Sequence, residues 1–385
     1  MSGLRSLRES RWSSWVLPGV ALVGVALFPV FADPLSGTMG DIIVALASVV
    51  MAVGLNIVVG FAGLLDLGYV AFYAFGALAT GWFASDFFTG IGGKKGVHVG
   101  VSAFADSLPG IHLNFLLIII AAIIITSIAG AFIGLPTLRL RGDYIAIVTL
   151  AFGEIAGRVA LNGSQIEIIH GYKLTNGQQA ISPVDQPQLP GFAPLDSAFS
   201  LRGYYWLGLA MVAIVLIVNF TVRDSRLGRA WIALREDEVA AASMGVPLVR
   251  TKLLAYSLGA SLGGAAGAFL GSYNNAINSN QFQFFFSILV LSMVILGGLG
   301  SIWGTVIGAI AVTMLDRRLI DDVFKDVPGK LGLNVTLSDL KFGIFGFLLV
   351  LMMILRPEGL LPERRRKKEF EEGVGGDESL IEARA

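Results

Sequence analysis

Two opposite charges, Glu154 and Arg158, stand four residues apart within an apolar stretch. At that spacing they share one helix face and can meet. Charge inside a bilayer is costly, so it faces a bundle interior or a wet cavity. The pair reads either as a neutralising ion pair between helices or as a gate on a wet path. Asn56, inside another apolar run, either bonds a neighbouring helix or lines such a path, and the helix bond is the commoner use. Asp66 falls in a tight loop, and Tyr69 and Tyr73 share a helical face just after it. Aromatic residues so placed ordinarily anchor a helix at the membrane interface. Asp143 follows Gly142 and suits a helix N-cap.

Enzyme chemistry has little to work with. Cysteine is absent, which removes disulfides, thiolate nucleophiles and cysteine-held metals. The three histidines, His98, His112 and His170, are far apart and read as solvated loop residues, not as metal ligands. Gly93-Lys94 and Gly329-Lys330 lack the Ser or Thr of a Walker A loop, so no P-loop nucleotide site is expected. No Ser-His-Asp or HExxH arrangement occurs. A formal net charge of zero gives no reason to expect nucleic acid.

One polar stretch has a different character. Arg229 to Gly245 is rich in Ala, Leu, Arg and Glu, all strong helix formers. Asp237 and Glu238 suit a helix start, while Gly245 and Pro247 suit its end. A helix over 236–245 presents Ala240, Ala241 and Ala242, small enough to enter a groove on another protein. An ordinary surface helix between spans fits the same residues.

The elements that must position these residues follow from composition. Of 385 residues, 55% are hydrophobic and only 15% are charged. A soluble domain carries roughly 25% charged residues, so lipid must cover this chain. The 48 glycines suit closely packed membrane helices. A crossing helix takes about 20 apolar residues. Ten stretches qualify: 15–31, 42–59, 69–88, 113–135, 144–161, 204–220, 253–272, 284–297, 302–315 and 342–355. The first also fits a signal peptide, with Arg5, Arg8 and Arg11 ahead of it and Val30-Phe31-Ala32 at its end.

Basic residues set the orientation, because cytoplasmic loops hold the excess. With ten alternating spans and the N-terminus inside, 18 of the 28 Lys and Arg fall on the cytoplasmic side. The expected architecture is an all-α polytopic bundle with both termini cytoplasmic. It comprises an N-terminal segment 1–14, a transmembrane domain 15–362 and a charged tail 363–385 whose basic run 364–368 meets anionic lipid. Periplasmic loops 86–112 and 162–203, the second rich in Pro and Gly, cap one side, and the cytoplasmic loop 222–252 lies on the other. A faint internal echo relates Gly60-Phe61-Ala62-Gly63 to Gly297-Gly298-Leu299-Gly300.

The order Glu238, Ala240-Ala241, Gly245 resembles the EAA loop of ATP-binding-cassette importer permeases, although Val239 interrupts the Glu-Ala-Ala triplet. Four further segments narrow the likeness: GLNIVVGFAGLLDLG over 54–68, LRLRGDYIAIVTL over 138–150, GGLGSIWG over 297–304 and RPEG over 356–359. Across roughly residues 40–362 the chain resembles the M type of the Liv H/M permease family, the branched-chain amino acid ABC importers.

The resemblance implies a bacterial inner-membrane permease subunit with no catalytic site, metal or cofactor of its own. It implies ATP and Mg on two separate ATPase subunits, a homologous H-type permease partner and a periplasmic amino-acid-binding protein. It assigns ATPase coupling to Arg235, Glu236, Asp237, Glu238, Ala240, Ala241 and Gly245. Pathway candidates are Asn56, Asp66, Tyr69, Tyr73, Glu154 and Arg158. The segment LTNGQQAI over 174–181 departs from the family pattern at Gln178 and Ala180, which leaves the related urea or amide importers as the nearest alternative. An ion-driven carrier would need intramembrane carboxylates, and only Glu154 qualifies.

Overall fold

The computed structural model describes residues 27–89, 96–101, 108–137, 140, 144–169, 171–188, 194–195, 200–318, 337–356 and 358–361. The segment 1–14, most of the expected first span, Asp143, His170 and the tail 363–385 lie outside the described residues.

Apolar runs form helices here because a helix satisfies its own backbone where lipid cannot. The first, α1 (Gly37–Asn56), continues into a π-helical turn, Ile57–Phe61. Next comes α2 (Val70–Phe83), then α3 (Phe115–Thr137), α4 (Tyr144–Asn162) and α5 (Arg202–Asp224). Two short helices follow on the expected cytoplasmic side, α6 (Arg226–Glu236) and α7 (Glu238–Ser243). The chain returns through α8 (Leu248–Tyr273), α9 (Phe284–Gly297), α10 (Ile302–Met314) and α11 (Leu337–Leu355).

Among the described residues, five helical stretches are long and apolar enough to cross a membrane: those containing α1, α3, α4, α5 and α8. The 14-residue α2 and α9 and the 13-residue α10 are shorter than a full crossing needs. The expected third span over 69–88 is shortened because the chain leaves the helix at Phe83 for a strand. Of the ten expected spans, the described residues thus show five as long helices and others as shorter apolar helices, while most of the first lies outside them.

The core is built around α8, which packs against α1, α2 and α3. Small residues make that approach possible. A methyl on Gly76 of α2 would overlap the backbone of Gly264 on α8, and one on Gly267 would overlap the Tyr73 carbonyl. Hydroxyls add cross-helix bonds: Thr80 donates to the Ala268 carbonyl at 3.2 Å, and Tyr204 to that of Ser272 at 3.2 Å. On α3 the opposite face shows Leu116, Ile120, Ile124, Ile128 and Phe132, each exposed and spaced by four. That is an exposed apolar stripe along one face of the helix.

A small cap covers the expected periplasmic side. Strands β1 (Ala84–Ser85), β2 (Val97–Val99) and β3 (Ile111–Leu113) form one sheet in the order β1-β3-β2. β1 pairs antiparallel and β2 parallel with β3, in the register Ala84–His112 and His98–His112. A second hairpin joins β4 (Glu167–Ile169) to β5 (Tyr172–Lys173). His112 corrects the expectation of solvated histidines: it is buried, stacks on His98 at 5.2 Å and bonds Asp185 through Nδ1 at 2.5 Å. Burial pushes the Asp185 carboxyl above its ordinary range, and the His112 bond only partly offsets this. The sheet thus draws the 86–112 loop onto the 162–203 loop.

Candidate functional site

The stretch 222–252, expected on the cytoplasmic side, contains an elbow of two helices, α6 and α7. The expected continuous helix breaks at Asp237, whose backbone is extended and whose carboxylate caps α7. Its Oδ1 accepts from the Val239 and Ala240 N–H groups at 2.8 and 2.9 Å. Helix formers flank the break, but an aspartate that satisfies two free N–H groups is more stable as a cap. At the far end Gly245 has φ +84°. Its N–H bonds the Ala242 carbonyl, and that of Val246 bonds Ala241, which is a Schellman stop. The left-handed glycine expected from sequence is therefore present.

Three bonds fasten this elbow to the bundle. The buried Trp231 donates through Nε1 to the Thr251 carbonyl at 2.8 Å. Lys252, almost wholly buried, pairs with Glu238 at 2.7 Å. Arg235 reaches inward and donates to the Gly60 carbonyl at 2.7 Å, with Gly63 pressed against its stem. Arg235 thus ties the elbow to the π-helical turn that ends α1. Ala241 is also turned inward, at 5% exposure, so the alanine face is not presented whole. The outward face carries Ala240 and Ala242 beside Val239 and Met244, which are 65% and 85% exposed. Glu236, at the end of α6, is exposed as well. Sequence reasoning missed Trp231 and Lys252, although a lysine at the mouth of an apolar helix was a readable signal.

Four pathway candidates are buried. Asn56 accepts from the Gly300 N–H at 2.9 Å, while its Nδ2 has no partner. This joins the two members of the sequence echo, since a methyl on Gly60 would strike Gly300. Asp66 accepts from the Gly68 N–H at 2.9 Å through Oδ1, and its Oδ2 is unpartnered. Tyr69 donates to the Gly259 carbonyl at 2.9 Å. Tyr73 stacks on Phe286 at 4.5 Å and meets Phe282 edge-on at 5.8 Å. Neither tyrosine is an interfacial anchor as expected, because α2 turns that face into the core.

Glu154 and Arg158 are exposed on α4, and they form no ion pair with each other or with any other described residue. Both line a groove of about 410 Å³ whose other wall includes Phe282, Phe284, Phe285 and Ile288. Gly157, between them, lets the Phe282 carbonyl approach α4. A second hollow of about 400 Å³ lies in the cap, between Asp86, Lys173, Asn176 and Ser182. No cluster of potential metal ligands occurs among the described residues.

Comparison with known proteins places the chain. The family described as "Branched-chain amino acid transport system / permease component" matches residues 39–353. The chain is 32% identical over 361 residues to the high-affinity branched-chain amino acid transport system permease protein LivM of Escherichia coli K12, covering 89% of this chain and 74% of that protein. It is 26% identical over 331 residues to the probable branched-chain amino acid transport permease protein LivM of Methanocaldococcus jannaschii, covering 82% and 90%. The LivH permease of Escherichia coli K12 matches at 29% over 155 residues, covering 39% of this chain and 49% of that one. No solved structure gives a significant match.

Proposed function

Because the chain belongs to the branched-chain amino acid transport permease family, a family of membrane transport subunits and not of enzymes, we propose that it carries leucine, isoleucine and valine into a bacterial cytoplasm. It works beside a homologous H-type permease in the inner membrane, with both termini cytoplasmic. Two ATP-binding-cassette subunits below supply the energy, holding ATP and Mg, and a periplasmic amino-acid-binding protein delivers the cargo.

The observation that carries this reading is the cytoplasmic elbow. Val239 and Met244 project from it as exposed apolar side chains, while Glu238 and Arg235 bind it rigidly to α8 and α1. An exposed apolar helix face can enter a groove on a partner, and its bonds to the bundle give a partner's push a route inward. The push reaches the bundle at the Gly60 carbonyl, in the π-helical turn. Single π-helical turns recur at functional sites, and this one, at the end of α1, is where Arg235 meets the bundle.

The test is uptake into proteoliposomes holding both permeases and both ATPases, with the loaded binding protein outside. ATP-dependent accumulation of labelled leucine, with none of urea, is expected. Urea uptake without leucine uptake would replace the substrate assignment. Uptake driven by an ion gradient, with the ATPases left out, would overturn the ATP-coupled reading.

A further inference from the structure

The groove on α4 holds two charges, Glu154 and Arg158, that have no ion-pair partner among the described residues and sit within an apolar helix of membrane-crossing length. Charge on a membrane helix is costly, yet the two do not neutralise each other. Glu154 and Arg158 are one helical turn apart, about 6 Å along the axis, and both point to the same hollow. Phe282, Phe285 and Ile288 face them across it. The groove therefore has a negative pole, a positive pole and a wall that is apolar apart from Gln283.

We propose that this groove is a way-station for a zwitterionic amino acid. The Arg158 guanidinium takes the α-carboxylate and the Glu154 carboxylate takes the α-ammonium. The apolar side chain of the cargo lies against Phe282, Phe285 and Ile288. The proposal rests on the amino-acid importer reading above and assigns that reading its substrate contacts.

Charge balance sets the selectivity. A zwitterion brings one charge of each sign and leaves neither pole unpaired. A neutral amide such as urea leaves both poles unmatched, and a simple cation or anion leaves one. Charge-assisted bonds at both poles are about twice as strong as neutral ones, so an analogue lacking either charge binds poorly. The place in the molecule fits as well. Arg158 lies four residues from the end of α4, where the chain enters the cap. Cargo released from above the cap meets this groove before the buried core. Tyr73, stacked behind Phe282 and Phe286, makes the wall stiff.

The test uses the full complex in nanodiscs without the binding protein, which recognises cargo on its own account. Saturation-transfer NMR compares leucine with leucinamide, which lacks the carboxylate, and with 4-methyl-2-oxopentanoate, which lacks the ammonium. The parental complex is expected to bind leucine and neither analogue. Arg158→Gln abolishes the preference of leucine over leucinamide, and Glu154→Gln abolishes the preference over the oxo acid. Each substitution also lowers leucine uptake at least about tenfold, while the H-type permease still copurifies. Loss of that copurification instead would assign the two charges to the subunit interface and overturn the station. Unchanged analogue preferences in both variants would overturn it too. A parental complex that never transports leucine would instead strike at the importer reading itself.

Discussion

At the scale of single residues, Asn56 is the most instructive. Its side-chain oxygen is the partner of the buried Gly300 N–H at 2.9 Å. Asn56→Ala removes the acceptor and strands that donor, at a cost of about 1–3 kcal/mol. The expected result is a lowered thermal midpoint in detergent with normal membrane insertion, measured by fluorescence-detected unfolding. An unchanged midpoint would mean that the bond contributes nothing. That Asn56 bonds a neighbour was legible, because an amide in an apolar helix needs a partner. Which neighbour was not, since Gly300 lies 244 positions away. The same blindness misplaced His112, whose partner Asp185 is 73 positions distant. Ala241 was misjudged for another reason. Six residues of helix are too few for the sequence to say which face turns inward.

At the scale of elements, glycine content announced a tightly packed bundle, and the contact of α2 with α8 is that packing made visible. Gly76→Ala would set a methyl into the backbone of Gly264, which has no rotamer to relax into. The expected cost is at least about 1–3 kcal/mol, read as a lower folded yield and earlier unfolding. Gly343→Ala on α11 is the control, because open space surrounds that position; equal losses in the two variants would contradict the packing argument. The long spans were readable from hydropathy within a few residues, as 113–135 against Phe115–Thr137 illustrates. The π-helical turn after α1 was not, because nothing in Ile57–Phe61 departs from an ordinary helical run. The break at Asp237 was half readable: its capping chemistry was evident, but the strong helix formers around it argued for continuity.

At the scale of the whole molecule, the proposed coupling has the elbow meet the ATPase through its outward face. Val239→Glu and Met244→Glu place charge where an apolar partner groove is required, without touching this chain's own core. Both are expected to leave membrane levels intact while the ATPase no longer copurifies and leucine uptake falls at least about tenfold, roughly 1.4 kcal/mol of coupling. Ala241→Trp should instead destabilise the permease itself, because Ala241 is already enclosed. Retained copurification and uptake in both glutamate variants would move the ATPase contact elsewhere. The central place of α8 also dictates an order of synthesis. The partners α1, α2 and α3 leave the ribosome first, and roughly 130 more residues follow before α8 is complete, on the order of ten seconds of translation. During that interval the small-residue faces of α2 and α3 border an unfilled slot in the growing protein. Acyl chains or an insertion factor must occupy it, and α8 has to evict that tenant in order to seat.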